Sequence, residues 1–273
     1  MQTQTLKLET IKDTDNSVMI FILEPPKASI KVLGRTFSQW VSAACGEYSN
    51  ASIVCEKFSF DFLKQYLTNS KYTIVLLNSL ILLTPNAVKN LVDYITVKGV
   101  KACKFSGGYA FETQYLKTAK DVFYDSVYYN DQQAFYIVDD RKQLKFATEI
   151  LQERIYAEHI INGVEIQNAY IEADVKIGKG TIIFGGNIIK GNTVIGNNCV
   201  IKEKNIIENS TIGNECCVSG STILNSALED GVFVKPYCYV EKSLLRNNTL
   251  VDSNMRLIDK KTRANAKIKQ KEE

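Results

Sequence analysis

The chain has 273 residues, 45% of them hydrophobic and 23% charged, which is ordinary for a globular protein and long enough for two buried cores. A formal charge of only +3, with no basic stripe interleaved with aromatics, argues against a nucleic-acid partner. No apolar run approaches the roughly 18 residues of a membrane span, and the opening MQTQTLKLETIKDTDN lacks the apolar core of a secretion signal.

Residues 1–17 read as a polar segment. Val18 to Leu23 then reads as a buried strand, closed by Glu24-Pro25-Pro26. A helix is expected over Thr36 to Ala44, a short strand over Ser52 to Cys55 and a helix over Phe58 to Leu67. Thr73 to Leu83 reads as a second apolar strand, and Thr84-Pro85 opens a helix carried by Asn86 to Thr96. Further strands are expected at Lys101 to Phe111, with Gly107-Gly108 as a bend, and at Phe135 to Val138. Strands alternating with helices in this way indicate an α/β domain over 18–140 with a mainly parallel sheet.

Residues 141–160 change the period. Leu144, Ala147, Ile150, Leu151, Ile155 and Ile160-Ile161 fall at helical spacing, so an amphipathic connecting helix is expected, ended by Asn162-Gly163. From there to residue 257 an aliphatic residue recurs every six positions: Ile171, Ile177, Ile183, Ile189, Ile195, Ile201 and Ile207. The beat slips and resumes at Ile212, Val218 and Leu224, then at Leu228, Val234 and Val240, then at Leu245, Val251 and Leu257. Small side chains sit two positions earlier, among them Thr181, Asn187, Thr193, Cys199, Asn205, Cys216, Thr222 and Cys238. Six is neither the helical nor the strand period; it marks a parallel β-helix of hexapeptide repeats over 161–257. Residues 258–273 are charged and poor in large apolar side chains, so a solvated or frayed tail is expected.

The seven cysteines are odd in number and show no CxxC spacing, and three fill small-residue slots of the hexads. They read as packing thiols of a reducing compartment, which points to the cytoplasm.

The join VDDRKQLKFATEILQERIYAEHIINGVEI and the hexads IIKGNTVIGNNCVIKEKNIIENSTIGNECCV resemble the bacterial bifunctional N-acetylglucosamine-1-phosphate uridylyltransferase/glucosamine-1-phosphate acetyltransferase family. PPKASIKVLGR is similar to that family's PKxLxxxxGR stretch, and VLLNSLILLT stands where the family has GDxPLL. The resemblance implies a reduced nucleotidyltransferase-like, Rossmann-like domain, a helical arm and a left-handed parallel β-helix that forms a homotrimer through its coil faces. Apolar residues in outward or corner slots of the hexads, such as Ile182, Ile188, Val194 and Val200, suit such burial.

Carried over position by position, the family's chemistry does not transfer. Its glycine-rich phosphate loop has no counterpart between Leu23 and Lys27, where Glu24-Pro25-Pro26 stands; the prolines remove N–H donors and Glu24 repels phosphate. Ser79 takes the place of its metal-binding aspartate, and Asp139 that of its second metal ligand. The only histidine, His159, matches an arm position and not the acetyl-transfer base, and Glu241 stands where the family has a sugar-phosphate arginine. The chain is expected to end before the coils that bear the remaining acetyl-transfer residues. No catalytic residue is assigned.

The remnants are Lys27, Gly34, Arg35 and Gly108 for a nucleotide or sugar phosphate, and Asp139 with Asp140 for Mg2+ if nucleotide binding is retained. Each has a structural alternative: a solvated lysine, a turn glycine, a β-bulge and a helix N-cap. The function expected is that of a catalytically impaired relative in amino-sugar nucleotide metabolism, acting by binding a sugar nucleotide or by trimeric assembly. The alternatives are an active sugar-1-phosphate nucleotidyltransferase of the UDP-N-acetylglucosamine pyrophosphorylase type, rebuilt around Lys27, Asp139 and Asp140, and a hexapeptide acyltransferase that works without a histidine.

Overall fold

A computed structural model describes residues 5–7, 17–25, 30–55 and 58–269, which divide into two units at Thr148 and Glu149. The first holds β1 (Thr5–Lys7), β2 (Val18–Glu24), β3 (Lys31–Val32), β4 (Arg35–Thr36), α1 (Phe37–Cys45) and β5 (Ser49–Val54). It continues with α2 (Phe60–Lys64), β6 (Tyr72–Leu77), α3 (Pro85–Lys98), β7 (Ala102–Phe105), β8 (Gly108–Glu112), α4 (Thr113–Thr118) and β9 (Ser126–Tyr129). Helix α5 (Arg141–Ile161) runs across the boundary.

Seven strands form one mixed sheet in the order β1-β5-β2-β6-β8-β7-β9. β2 lies between β5 and β6, parallel to both, and buries both of its faces. Val18, Ile20 and Ile22 enter one core with residues of α1 and α3, while Met19 and Phe21 enter the other with Leu63 of α2 and Leu116 of α4. This is why VMIFIL reads as an unbroken apolar run and not as an alternation. The helices start where the sequence provides caps. Thr36 and Gln39 form a capping box on α1, and the Thr84 hydroxyl accepts from Ala87 N at 3.2 Å with Pro85 in the first turn of α3.

Several local expectations are corrected. The sheet is mixed and not mainly parallel: β8 is antiparallel to β6 and β7, and β1 to β5. The run Lys101 to Phe111 is a hairpin of two strands, with Gly107 in left-handed backbone at its turn. The strand expected over Thr73 to Leu83 stops at Leu77, and Leu80 to Leu83 are buried by turns instead. Phe135 to Val138 is irregular; Phe135 is drawn into the core by ring contacts with Phe105 at 4.8 Å and Tyr129 at 6.1 Å. β9 had no signal, because SVYY is short and half exposed.

The second unit is a left-handed parallel β-helix with three sheet faces. The first face begins at Glu165–Ile166, the second at Tyr170–Ile171 and the third at Lys176–Ile177, and each pairs in parallel with the next coil. Ile183, Ile201, Val218, Val234 and Val251 stack inside the first face and are fully buried.

The register slips lie at shortened corners. The corner from the second face to the third uses a single left-handed residue at Asn209, Asn225, Lys242 and Asp259, with φ between 47° and 51°. That corner is one residue shorter than the Gly191–Thr193 corner of the preceding coil. The corner from the first face to the second also loses a residue, at Ser219–Ser221 with Gly220 in left-handed backbone, so the inward residue after Val218 is Ile223, fully buried, and not Leu224, and the buried small residue is Ser221 and not Thr222.

The small residues form ladders that satisfy backbone N–H groups at the corners. Asn187 Oδ1 accepts from Asn205 N at 2.8 Å, Asn205 Oδ1 from Ser221 N at 2.8 Å, and Ser221 Oγ from Cys238 N at 3.0 Å. A second ladder runs from Ser210 to Ser226, Ser243 and Lys260. The coil also continues past the expected end. Leu244 bridges to Lys261, and Lys267–Ile268 pairs with Leu250–Val251, so residues 258–269 are ordered coil and not a frayed tail.

The buried stripe of α5 is Ala147, Leu151, Ile155 and His159 at four-residue intervals, whereas Ile160 and Ile161 are exposed. The arm is pinned to the first coil through side chains: Tyr156 Oη donates to the Ala169 carbonyl and accepts from Ala169 N, and Gln152 Nε2 donates to Ile171 O at 3.3 Å.

Candidate functional site

In a sheet of this kind ligands enter beyond the C-terminal strand ends where the chain reverses its direction of winding. Here that point lies at the ends of β2 and β6, because β2 is followed on one side by β5 and on the other by β6. Backbone bonds run along this edge. Asn78 N donates to Leu23 O at 3.1 Å, Leu77 N to Gly107 O at 2.8 Å and Cys55 N to Glu24 O at 2.9 Å. These bonds extend the sheet ladders; residues 26–29, where the family's phosphate loop would lie, are outside the described residues.

The two positions matching the family's metal ligands are neighbours: Val138 N donates to Ser79 O at 3.1 Å, which brings Asp139 beside Ser79. Asp140 Oδ1 accepts from Gln143 N at 2.8 Å, and Gln143 Oε1 accepts from Asp139 N at 2.7 Å and Asp140 N at 3.1 Å. This reciprocal pattern caps the start of α5. Among the described residues no group of three or more His, Cys, Asp or Glu side chains converges as for a metal ion.

The other remnants lie in separate local structures. Leu33 and Gly34 form the tight turn between β3 and β4, with φ of 47° and 86°, the pair of positive values that a type I′ hairpin requires. The Arg35 guanidinium lies over the Trp40 ring at 5.0 Å, and Trp40 Nε1 donates to Val32 O at 2.9 Å. Gly108 opens β8 opposite Phe105 and Leu76; a Cβ there would stand 2.4 Å from Val75 O and 2.6 Å from the Phe105 ring. Lys27 lies outside the described residues.

His159 is buried on the arm, where burial lowers its pKa and Glu158 opposes the shift in part. Burial pushes the Cys45 thiol up to about 12 and that of Cys103 to about 11, so both are held protonated and unreactive near neutral pH. Two concavities had no counterpart in the sequence reading. One, of about 600 Å³, lies along a coil corner over Ala227 and Leu244 beside Lys242, Asp259, Lys260 and Lys261. Its one sequence signal is the charged DKK run of the expected tail. The other, of about 370 Å³, lies between α3 and β9.

Residues 202–271 match the family model described as GlmU-like, C-terminal hexapeptide. The coil region is GlmU-like. Among curated relatives, the Bifunctional protein GlmU of Clostridium beijerinckii is 44% identical over 125 residues, covering 45% of this chain and 26% of the relative. That of Clostridioides difficile is 41% identical over 118 residues, covering 42% and 26%, and that of Lactobacillus johnsonii 36% identical over 135 residues, covering 48% and 29%. The chain thus spans about a quarter of the length of the GlmU proteins it matches. A solved hexapeptide transferase family protein from Anaplasma phagocytophilum aligns with 35% of the chain at 23% identity, with a TM-score of 0.25, too low to bear on the fold. No described helix is long and apolar enough to cross a membrane.

Proposed function

We propose that this GlmU relative is a non-catalytic member of its family, acting in amino-sugar nucleotide metabolism by binding or by trimeric assembly. The observation that carries the reading is that Asp140, next to the position matching the family's second metal ligand, caps α5. Asp140 Oδ1 accepts from Gln143 N, and Gln143 Oε1 accepts from the backbone amides of Asp139 and Asp140. In this reading Asp140 serves the helix, neither aspartate holds Mg2+, and Gly34 and Gly108 serve backbone geometry. His159, buried on the arm, is no general base. Assays of uridylyl transfer from UTP and acetyl transfer from acetyl-CoA test it. No turnover above background is expected, and robust turnover of either overturns it.

Assembly has its own support. The first coil face carries Ile182, Val200, Cys217, Phe233 and Leu250 outward on successive rungs, an apolar column that a neighbouring copy would cover. A trimer mass is expected from light scattering, and Phe233→Glu, which places a charge in the column, is expected to shift it to the monomer. A monomeric wild type overturns this part alone.

A further inference from the structure

We draw no further inference here: the strongest candidate, the coil-corner groove of about 600 Å³ ringed by Lys242, Lys260 and Lys261, adjoins Glu241, where the family has its sugar-phosphate arginine, so an anion placed in it restates a ligand subsite of that family.

Discussion

The two units solve the same problem in opposite ways. In the coils every role is repeated: Ile183, Ile201, Val218, Val234 and Val251 do one job on successive rungs, as Asn187, Asn205 and Ser221 do another. In the sheet unit roles are unique. Phe135 closes one particular gap against Phe105 and Tyr129, and no second residue shares its task. Repetition makes stability a sum of similar neighbour terms, so a defect is local and a different residue of the same chemistry can replace the first. A unique contact has no substitute.

The largest expected effect tests that last statement. Gly108→Ala places a methyl 2.4 Å from Val75 O and 2.6 Å from the Phe105 ring, and the obstacle is backbone in a central sheet. A cost of about 3 kcal/mol or more is expected, at the upper end for overpacking. Hydrogen exchange should show the first unit opening while amides of the coils stay protected. If the coils lost protection together with the sheet, the two units would not be independent and the comparison would fail.

Next in size is the polar ladder. Asn205 is fully buried; its amide donates to Asn187 Oδ1, Lys202 O and Val218 O and its Oδ1 accepts from Ser221 N. Asn205→Ala leaves several buried groups unpaired and should cost about 2–4 kcal/mol, from roughly 1–3 for each unsatisfied group with partial relaxation. Asn205→Ser should recover a good part of that. Ser221 already performs the same task one rung on, accepting from Cys238 N through its hydroxyl. Urea unfolding curves of the two variants decide it, and equal losses would show that the ladder positions are not interchangeable.

The same contrast governs what could be read from the sequence. A hexad is legible because each residue's environment recurs, so inward aliphatics and buried small residues stand out as a period. Even the misplacement of Leu224 for Ile223 is an error of phase at a shortened corner, and Gly220, in left-handed backbone, marks that corner. The sheet unit gave its central strands, because β2 and β6 are apolar on both faces. It concealed β9, whose exposed residues carry no pattern, and the fate of Phe135, which is decided by tertiary ring contacts. The candidate site was half legible. That Asp139 and Asp140 precede a helix was visible; that Gln143 reaches back to both amides requires the folded geometry. Pairing of the Asn78 and Leu77 amides along the edge is a long-range fact with no local mark.

A smaller effect separates the two aspartates. Asp140→Ala removes the acceptor for Gln143 N and should cost about 1 kcal/mol, the usual worth of an N-cap, while Asp139→Ala should cost almost nothing. Thermal melts of both, with and without millimolar Mg2+, give the readout. A Mg2+-dependent rise in melting temperature that Asp139→Ala abolishes would return these residues to metal binding.

The smallest effect concerns His159, the one residue of the buried α5 stripe that titrates near neutrality. Unfolded, its imidazole has the ordinary pKa of 6.5; folded, burial lowers it, against partial opposition from Glu158. Above pH 6.5 the side chain is neutral in both states and adds no pH dependence. Below it the unfolded chain takes up the proton while the folded chain resists, so the unfolded state binds more protons and stability falls as the pH falls. The decline stops once the pH passes below the folded pKa. Carboxylates titrate in the same range, so the informative quantity is the difference between wild type and His159→Gln. The variant should lose stability less steeply between pH 7 and pH 5, whatever its absolute stability. Parallel curves would mean that the imidazole is hydrated in the folded arm, and the buried stripe would then end at Ile155.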